Sequence, residues 1–246
     1  MKPNETSLNT PPNGNPIKVN GHHPPLSAKP HPDEVGDAHW STALDTPLHE
    51  DAFVLNDEEK IARIEEKFRE IMDILGLDLS DDSLQGTPRR VAKMYVKEIF
   101  SGLHPENKPK VTLFDNKYQY GEMLVERDIA VYSNCEHHFV PIVGRAHVAY
   151  ISSGKVIGLS KLHRIVDYYA RRPQVQERLT EQIAAELKTA LGTEDVAVIV
   201  DADHHCVASR GIQDTSSSTL TASYSGAFEK NEVRKEFLSY LKIKTY

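Results

Sequence analysis

The stretch Val131-Tyr-Ser-Asn-Cys135-Glu136-His137-His138-Phe-Val-Pro-Ile-Val-Gly144 places four chemically active side chains side by side between two apolar, β-prone runs. Such runs predict strands over about 123–132 and 140–151, joined by the turn that carries Cys135. A short turn between paired strands presents its side chains together. We therefore expect the chemistry of the protein at this turn.

Cys135 and His138 form a Cys-x-x-His pair, whose spacing lets a thiolate and an imidazole converge on one metal ion. The only other cysteine is Cys206, which ends the segment His204-His205-Cys206. Two thiolates and one imidazole leave the fourth position of a zinc ion for water, as in catalytic zinc sites. A disulfide, a pair of buried apolar cysteines, and ligation by His204 or His205 are alternatives that spacing alone leaves open.

The bulk composition is that of an ordinary water-soluble protein. The net charge of −7 and the pI near 5.9 predict no basic surface for nucleic acid. No apolar run approaches the roughly 20 residues of a membrane helix, and the polar N-terminus lacks the apolar segment of a signal peptide. Two cysteines fit a reducing compartment. We expect a cytoplasmic protein without a membrane or nucleic-acid partner.

The chain divides by composition near residue 56. Residues 1–56 hold nine of the fourteen prolines and predict a mostly disordered tail. Residues 57–246 are expected to form the folded domain, with two amphipathic helices over 57–102 and a core over 123–246. Asn56 and Glu59 predict a capping box at the start of the first helix, and Thr87-Pro88 predicts the start of the second.

Within the core, Gly154-Lys155 is expected to turn a hairpin, and Ser160 to cap a helix. Lys161 and Arg164 share a face of its first turn, which suits a phosphate site as well as two solvated basic residues. Pro173 is predicted to open the next helix. Further strands are expected over 196–200 and 219–225, and a last helix over 229–241. Adjacent strand pairs without regular crossover helices predict an α+β class with antiparallel pairing.

Four blocks of this sequence together resemble the GTP cyclohydrolase I family. The likeness runs from about residue 58 to the C-terminus, with the blocks in the family's order. They are Cys135-Glu136-His137-His138, Gly158-Leu-Ser160-Lys161-Leu-His-Arg164, Arg171-Arg172-Pro-Gln-Val-Gln176-Glu177-Arg-Leu and His204-His205-Cys206-Val-Ala-Ser-Arg210-Gly.

The resemblance implies a tunnelling fold (T-fold), in which an antiparallel sheet with flanking helices joins the sheets of other subunits into a barrel. It also implies a homodecamer of two pentamers. The implied activity is that of a hydrolase acting on cyclic amidine C–N bonds. Such an enzyme opens the guanine ring of GTP at C8, releases formate and forms 7,8-dihydroneopterin triphosphate, the first step of tetrahydrofolate and pterin biosynthesis.

The resemblance also implies roles for individual residues. Zn²⁺ would be held by Cys135, His138 and Cys206, with His137 protonating the purine at N7 and His204 as a second active-site histidine. Histidine exchanges protons near neutral pH, which suits both roles. The residues expected to bind GTP are Glu177 for the guanine edge, Gln176 beside it, Ser160, Lys161, Arg164 and Arg210 for the ribose and triphosphate, and Arg90 from an adjoining subunit.

Three positions depart from the family pattern, namely Asp201, His163 and Val207, and none of them removes a group that the chemistry needs. Other readings of the same residues are a different purine or pterin enzyme, a catalytically silent oligomer that binds GTP, and a structural zinc module that binds nucleic acid. The last would need a fourth protein ligand and a basic surface.

Overall fold

The computed structural model describes residues 43–242, and the first 42 residues of the predicted tail lie outside them. Seven α-helices and seven strands lie in this range, together with a π-helical turn and short 3₁₀ turns. The helices are α1 Asp57–Ile74, α2 Asp82–Gln85, α3 Thr87–Met94, α4 Leu159–Ala170, α5 Gln176–Leu191, α6 His205–Ala208 and α7 Asn231–Leu241. The strands are β1 Leu113–Asp115, β2 Met123–Cys135, β3 Pro141–Ile151, β4 Lys155–Ile157, β5 Pro173–Gln174, β6 Val196–His204 and β7 Thr219–Tyr224.

The main sheet has five strands in the order β5-β2-β3-β6-β7. Strands β2, β3, β6 and β7 pair antiparallel, and the short β5 runs parallel to the end of β2. The predicted α+β class with mainly antiparallel pairing is therefore confirmed. Strands β2 and β6 each pair antiparallel with β3, so both run in the same direction and end on the same side of the sheet. Their last residues, Cys135 and His204, therefore lie close together.

Helices α4 and α5 cover one face of this sheet. The core between them consists of aliphatic side chains that alternate along the strands, such as Val131 and Val148, with Leu162, Ile165 and Leu179 from the helices. A second, smaller cluster lies on the opposite face of the sheet, where Ala149, Ala197 and Ile199 pack with Phe237 of α7 and with Phe228, which precedes that helix. Burial of this apolar surface drives the assembly of the layers.

The first two predicted helices are present, with one correction. Asn56 and Glu59 form the predicted capping box, each side chain bonding the backbone N–H of the other. The second helix is regular only to Met94 and continues as a π-helical turn, Tyr95–Ile99. It was predicted to run to about residue 102.

Three other local predictions were wrong. The strand after Gly154 pairs with β1 in a separate two-stranded sheet, and not with β3. Helix α4 begins at Leu159 with Gly158 as its N-cap, so Ser160 lies inside its first turn. Pro173 belongs to β5, because its backbone pairs with β2, and α5 begins only at Gln176.

Residues 43–56, which the sequence assigns to the tail, contact the folded body. Arg178 Nε donates a hydrogen bond to the carbonyl of Ala43, and Gln182 Nε2 donates one to the carbonyl of Leu44. Leu48 and Phe53 line a cavity of about 500 Å³ next to α1 and the π-helical turn. The boundary at residue 56 and the disorder of the tail stay predictions.

No helix in the described range combines the length and the apolar character needed to cross a membrane.

Candidate active site

The three metal-ligand candidates converge in the structure. One ligand atom each from Cys135, His138 and Cys206 lies within 4.8 Å of the others. Cys135 is buried at the end of β2, Cys206 is half-buried in the short helix after β6, and His138 is exposed. Neither cysteine forms a disulfide. The three side chains come from two segments that are far apart in sequence and that the sheet brings together.

A tight turn presents His138. The amide of Cys135 donates to the carbonyl of Val140, and the amide of Phe139 donates back to the carbonyl of Cys135. Phe139 has a φ of 54°, in the left-handed region that a non-glycine residue adopts only when its surroundings hold it there. Its ring packs edge-on against Phe100, 4.9 Å between centroids, which supplies such a hold.

The chemistry of the three groups fits a zinc ion. Burial raises the pKa of the Cys206 thiol above its ordinary value, and the adjacent Cys135 raises it further. Two neighbouring sulfurs can both be thiolates only if a cation offsets their charge. A soft divalent ion with one nitrogen and two sulfur ligands meets that need.

Beside this cluster, His137 lies between two groups of its own turn. Its Nδ1 is 3.3 Å from Cys135 Sγ, and its Nε2 is 3.8 Å from a carboxylate oxygen of Glu136. Glu136 is itself fixed by Arg178 of α5, whose guanidinium donates to both carboxylate oxygens, at 2.5 and 3.3 Å. The Arg178 side chain is 4% exposed, so the ion pair is nearly buried. Its carboxylate, Glu136, is the group next to His137, the predicted proton donor.

His204 contacts the start of α5. Its Nε2 lies 2.7 Å from Oε1 of Gln176, which is buried, while Glu177 next in the chain is exposed. Burial lowers the pKa of His204 below its ordinary value, although the carboxylates of Glu177 and Asp203 act in the opposite direction. The ring is thus favoured in its neutral form at pH 7.

Of the predicted phosphate-binding residues, Arg210 alone contacts this cluster, through Nη1, 2.8 Å from His138 Nε2. Ser160 and Lys161 lie in the first turn of α4, at the helix end remote from β5, which is the strand that pairs with Cys135. A helix of 12 residues is about 18 Å long. A single chain therefore does not bring these two residues to the metal cluster.

Arg164 and Arg90 also lie apart from the cluster. Arg164 lines a separate cavity of about 230 Å³ together with Asp167 and Arg171. Arg90 Nη2 donates to the hydroxyl of Thr87 and to a backbone carbonyl of α2. The chain by itself thus assembles the metal and histidine part of the predicted site and leaves the basic residues of α3 and α4 elsewhere.

Neither the ion pair between Glu136 and Arg178 nor the contact between Gln176 and His204 was predicted from the sequence. In the sequence, Glu136 belongs to the metal turn, and Gln176 is expected to contact the ligand. A signal was available for Arg178. It lies three residues after Val175, at the border of the apolar face of α5, and a charged residue that is drawn into a buried face needs a partner.

An α+β chain with a Cys-His-Cys cluster that can hold a metal, flanked by histidine and carboxylate groups, falls in the class of candidate metal-dependent enzymes. Residues 64–242 match the family model for GTP cyclohydrolase I. A protein of Flavobacterium johnsoniae named GTP cyclohydrolase 1 is 62% identical over 213 residues, which is 87% of this chain and 96% of that relative. Proteins of the same name from Aeromonas salmonicida and Aliivibrio fischeri are 56% and 54% identical, over 81% and 83% of this chain and 91% and 94% of theirs. The chain belongs to the GTP cyclohydrolase I family and is a hydrolase.

Proposed function

We propose that this chain hydrolyses GTP at C8 of the guanine ring with the help of a zinc ion, releases C8 as formate and forms 7,8-dihydroneopterin triphosphate. The product would enter tetrahydrofolate or other pterin biosynthesis. The observation that carries the proposal is the convergence of Cys135, His138 and Cys206 within 4.8 Å, in a chain of this family. The predicted cytoplasmic location stays a prediction.

Cys135, His138 and Cys206 would hold the zinc ion. When bound, zinc acts as a Lewis acid that activates water for hydrolysis at neutral pH. His137 protonates the purine at N7, which makes C8 more electrophilic. The position of His137 is supported on one side by the sulfur of Cys135 and on the other by Glu136, which Arg178 in turn holds.

Glu177 is proposed to read the guanine base. It is exposed in the first turn of α5, next to the residue that contacts His204. Guanine presents two adjacent donors, N1–H and the exocyclic amine, which match the two acceptor oxygens of a carboxylate. Adenine lacks this pair of donors. The same side chain therefore binds guanine and rejects adenine.

The triphosphate is proposed to bind Arg210 of one chain together with Ser160, Lys161, Arg164 and Arg90 contributed by other copies. The positions of these residues support this proposal. Arg210 contacts His138 of the metal cluster, whereas Lys161 and Arg164 lie toward the N-terminal end of α4, away from that cluster. A homodecamer whose sheets join into a barrel would complete such a site. The basic side chains would also give the site a local positive charge that attracts the triphosphate, although the net charge of the chain is negative.

The test is incubation of the purified chain with GTP, following the pterin absorbance band and formate, before and after chelation and after addition of zinc. Both products are expected to form, to stop on chelation and to return with zinc. Binding of GTP without turnover would contradict the proposed reaction. Turnover that survives complete removal of metal would contradict the proposed role of zinc.

A further inference from the structure

Gln176 is buried, and every polar atom of its side chain contacts a group of this chain. Nε2 lies 3.0 Å from the carbonyl of Val200, 2.8 Å from the carbonyl of Thr219 and 3.2 Å from the hydroxyl of Thr221. Oε1 lies 2.7 Å from Nε2 of His204. At 1% exposure the side chain has no surface left for a ligand. This differs from the expectation that Gln176 touches the nucleotide.

The two backbone carbonyls fix the orientation of the Gln176 amide. A carbonyl oxygen can only accept a hydrogen bond, so the amide group facing Val200 and Thr219 must be the NH₂. The reverse orientation would bring three oxygens together at hydrogen-bond distance without a hydrogen between them. Oε1 therefore faces His204. An amide oxygen can only accept, so the hydrogen in that contact belongs to His204 Nε2.

Two threonines close the same network with a consistent direction. Thr180 Oγ1 donates to the carbonyl of Gln176 at 2.9 Å, so its one hydrogen is used. Thr221 Oγ1, at 2.6 Å from Thr180 Oγ1, must then be the donor of that pair. Its oxygen is left as an acceptor for the Gln176 NH₂. The Gln176 NH₂ has two hydrogens for three acceptors, and the two carbonyls lie nearer to it than Thr221 Oγ1. The groups of the network come from α5, β6 and β7.

A neutral imidazole carries one hydrogen, so a ring that is protonated at Nε2 has a bare lone pair at Nδ1. Within residues 43–242, no hydrogen-bond partner contacts Nδ1 of His204. His204 ends β6 two residues before Cys206, so its backbone lies next to the metal cluster.

We propose that Gln176 is a positioning residue that fixes His204 in the Nε2–H tautomer, so that Nδ1 of His204 faces the nucleotide as a hydrogen-bond acceptor. The groups it would accept from are the hydroxyl or N–H donors of the bound nucleotide, or of a water molecule next to it. This inference rests on the proposed function for the identity of the nucleotide. The tautomer itself follows from the network alone.

Neutron diffraction from deuterium-exchanged crystals of the full, zinc-loaded chain shows the hydrogens directly. Deuterium is expected on His204 Nε2, with none on Nδ1, and the ND₂ of Gln176 is expected to face Val200 and Thr219. Deuterium on Nδ1, with or without deuterium on Nε2, would overturn the inference. The map is read without turnover, so it decides the tautomer even if GTP is not the substrate.

Kinetics of two matched variants then test the consequence. Gln176→Met keeps the length of the side chain and removes the orienting oxygen, and kcat is expected to fall about 10–100-fold, as when an orienting partner of an active-site histidine is lost. KM is expected to change less than about threefold. Gln182→Met removes another buried glutamine of α5, one that bonds Leu44 and Gln174, and is expected to stay within about threefold of the wild type.

A rise in KM with unchanged kcat for Gln176→Met would instead identify Gln176 as a ligand contact and overturn the inference. Equal losses of kcat in the two variants would also overturn it, since a general loss of packing would then explain both. Zinc content and melting temperature of each variant show whether it is folded. If Gln176→Met fails to fold, the neutron map of the wild type still decides.

Discussion

Replacing Arg178 by methionine would remove a guanidinium that joins three parts of the molecule. Arg178 extends from α5, donates to both carboxylate oxygens of Glu136 in the metal turn, and donates to the carbonyl of Ala43 ahead of α1. Methionine has a similar length and fills most of the same space, so the change removes mainly charge and hydrogen bonds. Glu136 would be left partly buried without its partner.

The size of the effect follows from burial. The Arg178 side chain is 4% exposed and that of Glu136 is 19% exposed. Removing one partner of a buried ion pair costs about 3–5 kcal/mol. Because Glu136 can regain some hydration, we expect the lower end, about 3 kcal/mol. For a domain of this size, about 2–4 °C of melting temperature corresponds to each kcal/mol, so a fall of about 6–12 °C is expected.

Thermal unfolding at one fixed protein concentration measures this effect, because stability would depend on concentration if the proposed oligomer forms. The matched control is Arg171→Met, which breaks the ion pair with Asp167 on the surface, where the Asp167 side chain is 57% exposed. That loss is expected to stay below about 1 kcal/mol. The double variant Glu136→Gln, Arg178→Met is expected to be more stable than the sum of the single effects predicts, by about 2 kcal/mol.

Two results would refute this reasoning. If Arg178→Met melts within the range of the Arg171→Met control, the buried pair does not hold the metal turn. If the effects of the two single changes simply add in the double variant, Glu136 and Arg178 are not coupled, and the loss at Arg178 comes from its contact with Ala43 or from packing.

Three further changes probe other parts of the account. Glu177→Ala is expected to lower the affinity for GTP at least about tenfold and to reduce the discrimination between GTP and ATP, because the carboxylate that accepts from both guanine donors is lost. Burial lowers the pKa of His147, and its Nδ1 accepts from the amide of Asp128. The unfolded chain therefore binds the proton more readily, so stability should fall as the pH drops below about 6.5, and less steeply in His147→Gln. Gly102→Ala should lower the stability of the folded chain by about 1–3 kcal/mol, because a Cβ there would lie 2.0 Å from the carbonyl oxygen of Tyr168. The control Gly121→Ala should leave stability unchanged, because its Cβ would meet no atom closer than 4.0 Å.

Each of these predictions has an outcome that contradicts it. Full GTP binding by Glu177→Ala would show that another group reads the base. The same decline in melting temperature with pH in the wild type and in His147→Gln would remove His147 as the cause. Equal melting temperatures for Gly102→Ala and Gly121→Ala would mean that the backbone at Gly102 and Tyr168 of α4 can move apart without a loss of stability. Both pairs of variants can be measured by the thermal assay used for Arg178.

The sequence predicted those parts of the fold that depend on local chemistry. The capping box of Asn56 and Glu59 needs only two residues three apart, and the alternation over 219–225 needs only the period of a strand. It failed where a distant segment decides the structure. Pro173 is an ordinary helix-start signal, but Pro173 and Gln174 pair with β2, and β4 pairs with a strand about 40 residues earlier in the chain.

In the candidate site, too, the sequence indicated some residues and did not indicate others. Cys135, His138 and Cys206 were candidates from the sequence, because few residue types bind zinc. Spacing alone left His204 and His205 open, and the resemblance to the family selected the set of three. The partners that orient the site were not predictable. Arg178 and Gln176 act through contacts with the metal turn and with β6, and these contacts exist only once α5 has packed on the sheet. No local pattern carries that information.

The most direct test of the central claim is conversion of GTP labelled with ¹³C at C8 by the zinc-loaded chain, followed by ¹³C NMR. If C8 is hydrolysed, its signal disappears and an equal amount of labelled formate appears. Cys206→Ser, which cannot hold the metal in the same way, is expected to give far less. Consumption of GTP with the label retained in the ring would contradict hydrolysis at C8. Undiminished formate release by Cys206→Ser would contradict the metal site.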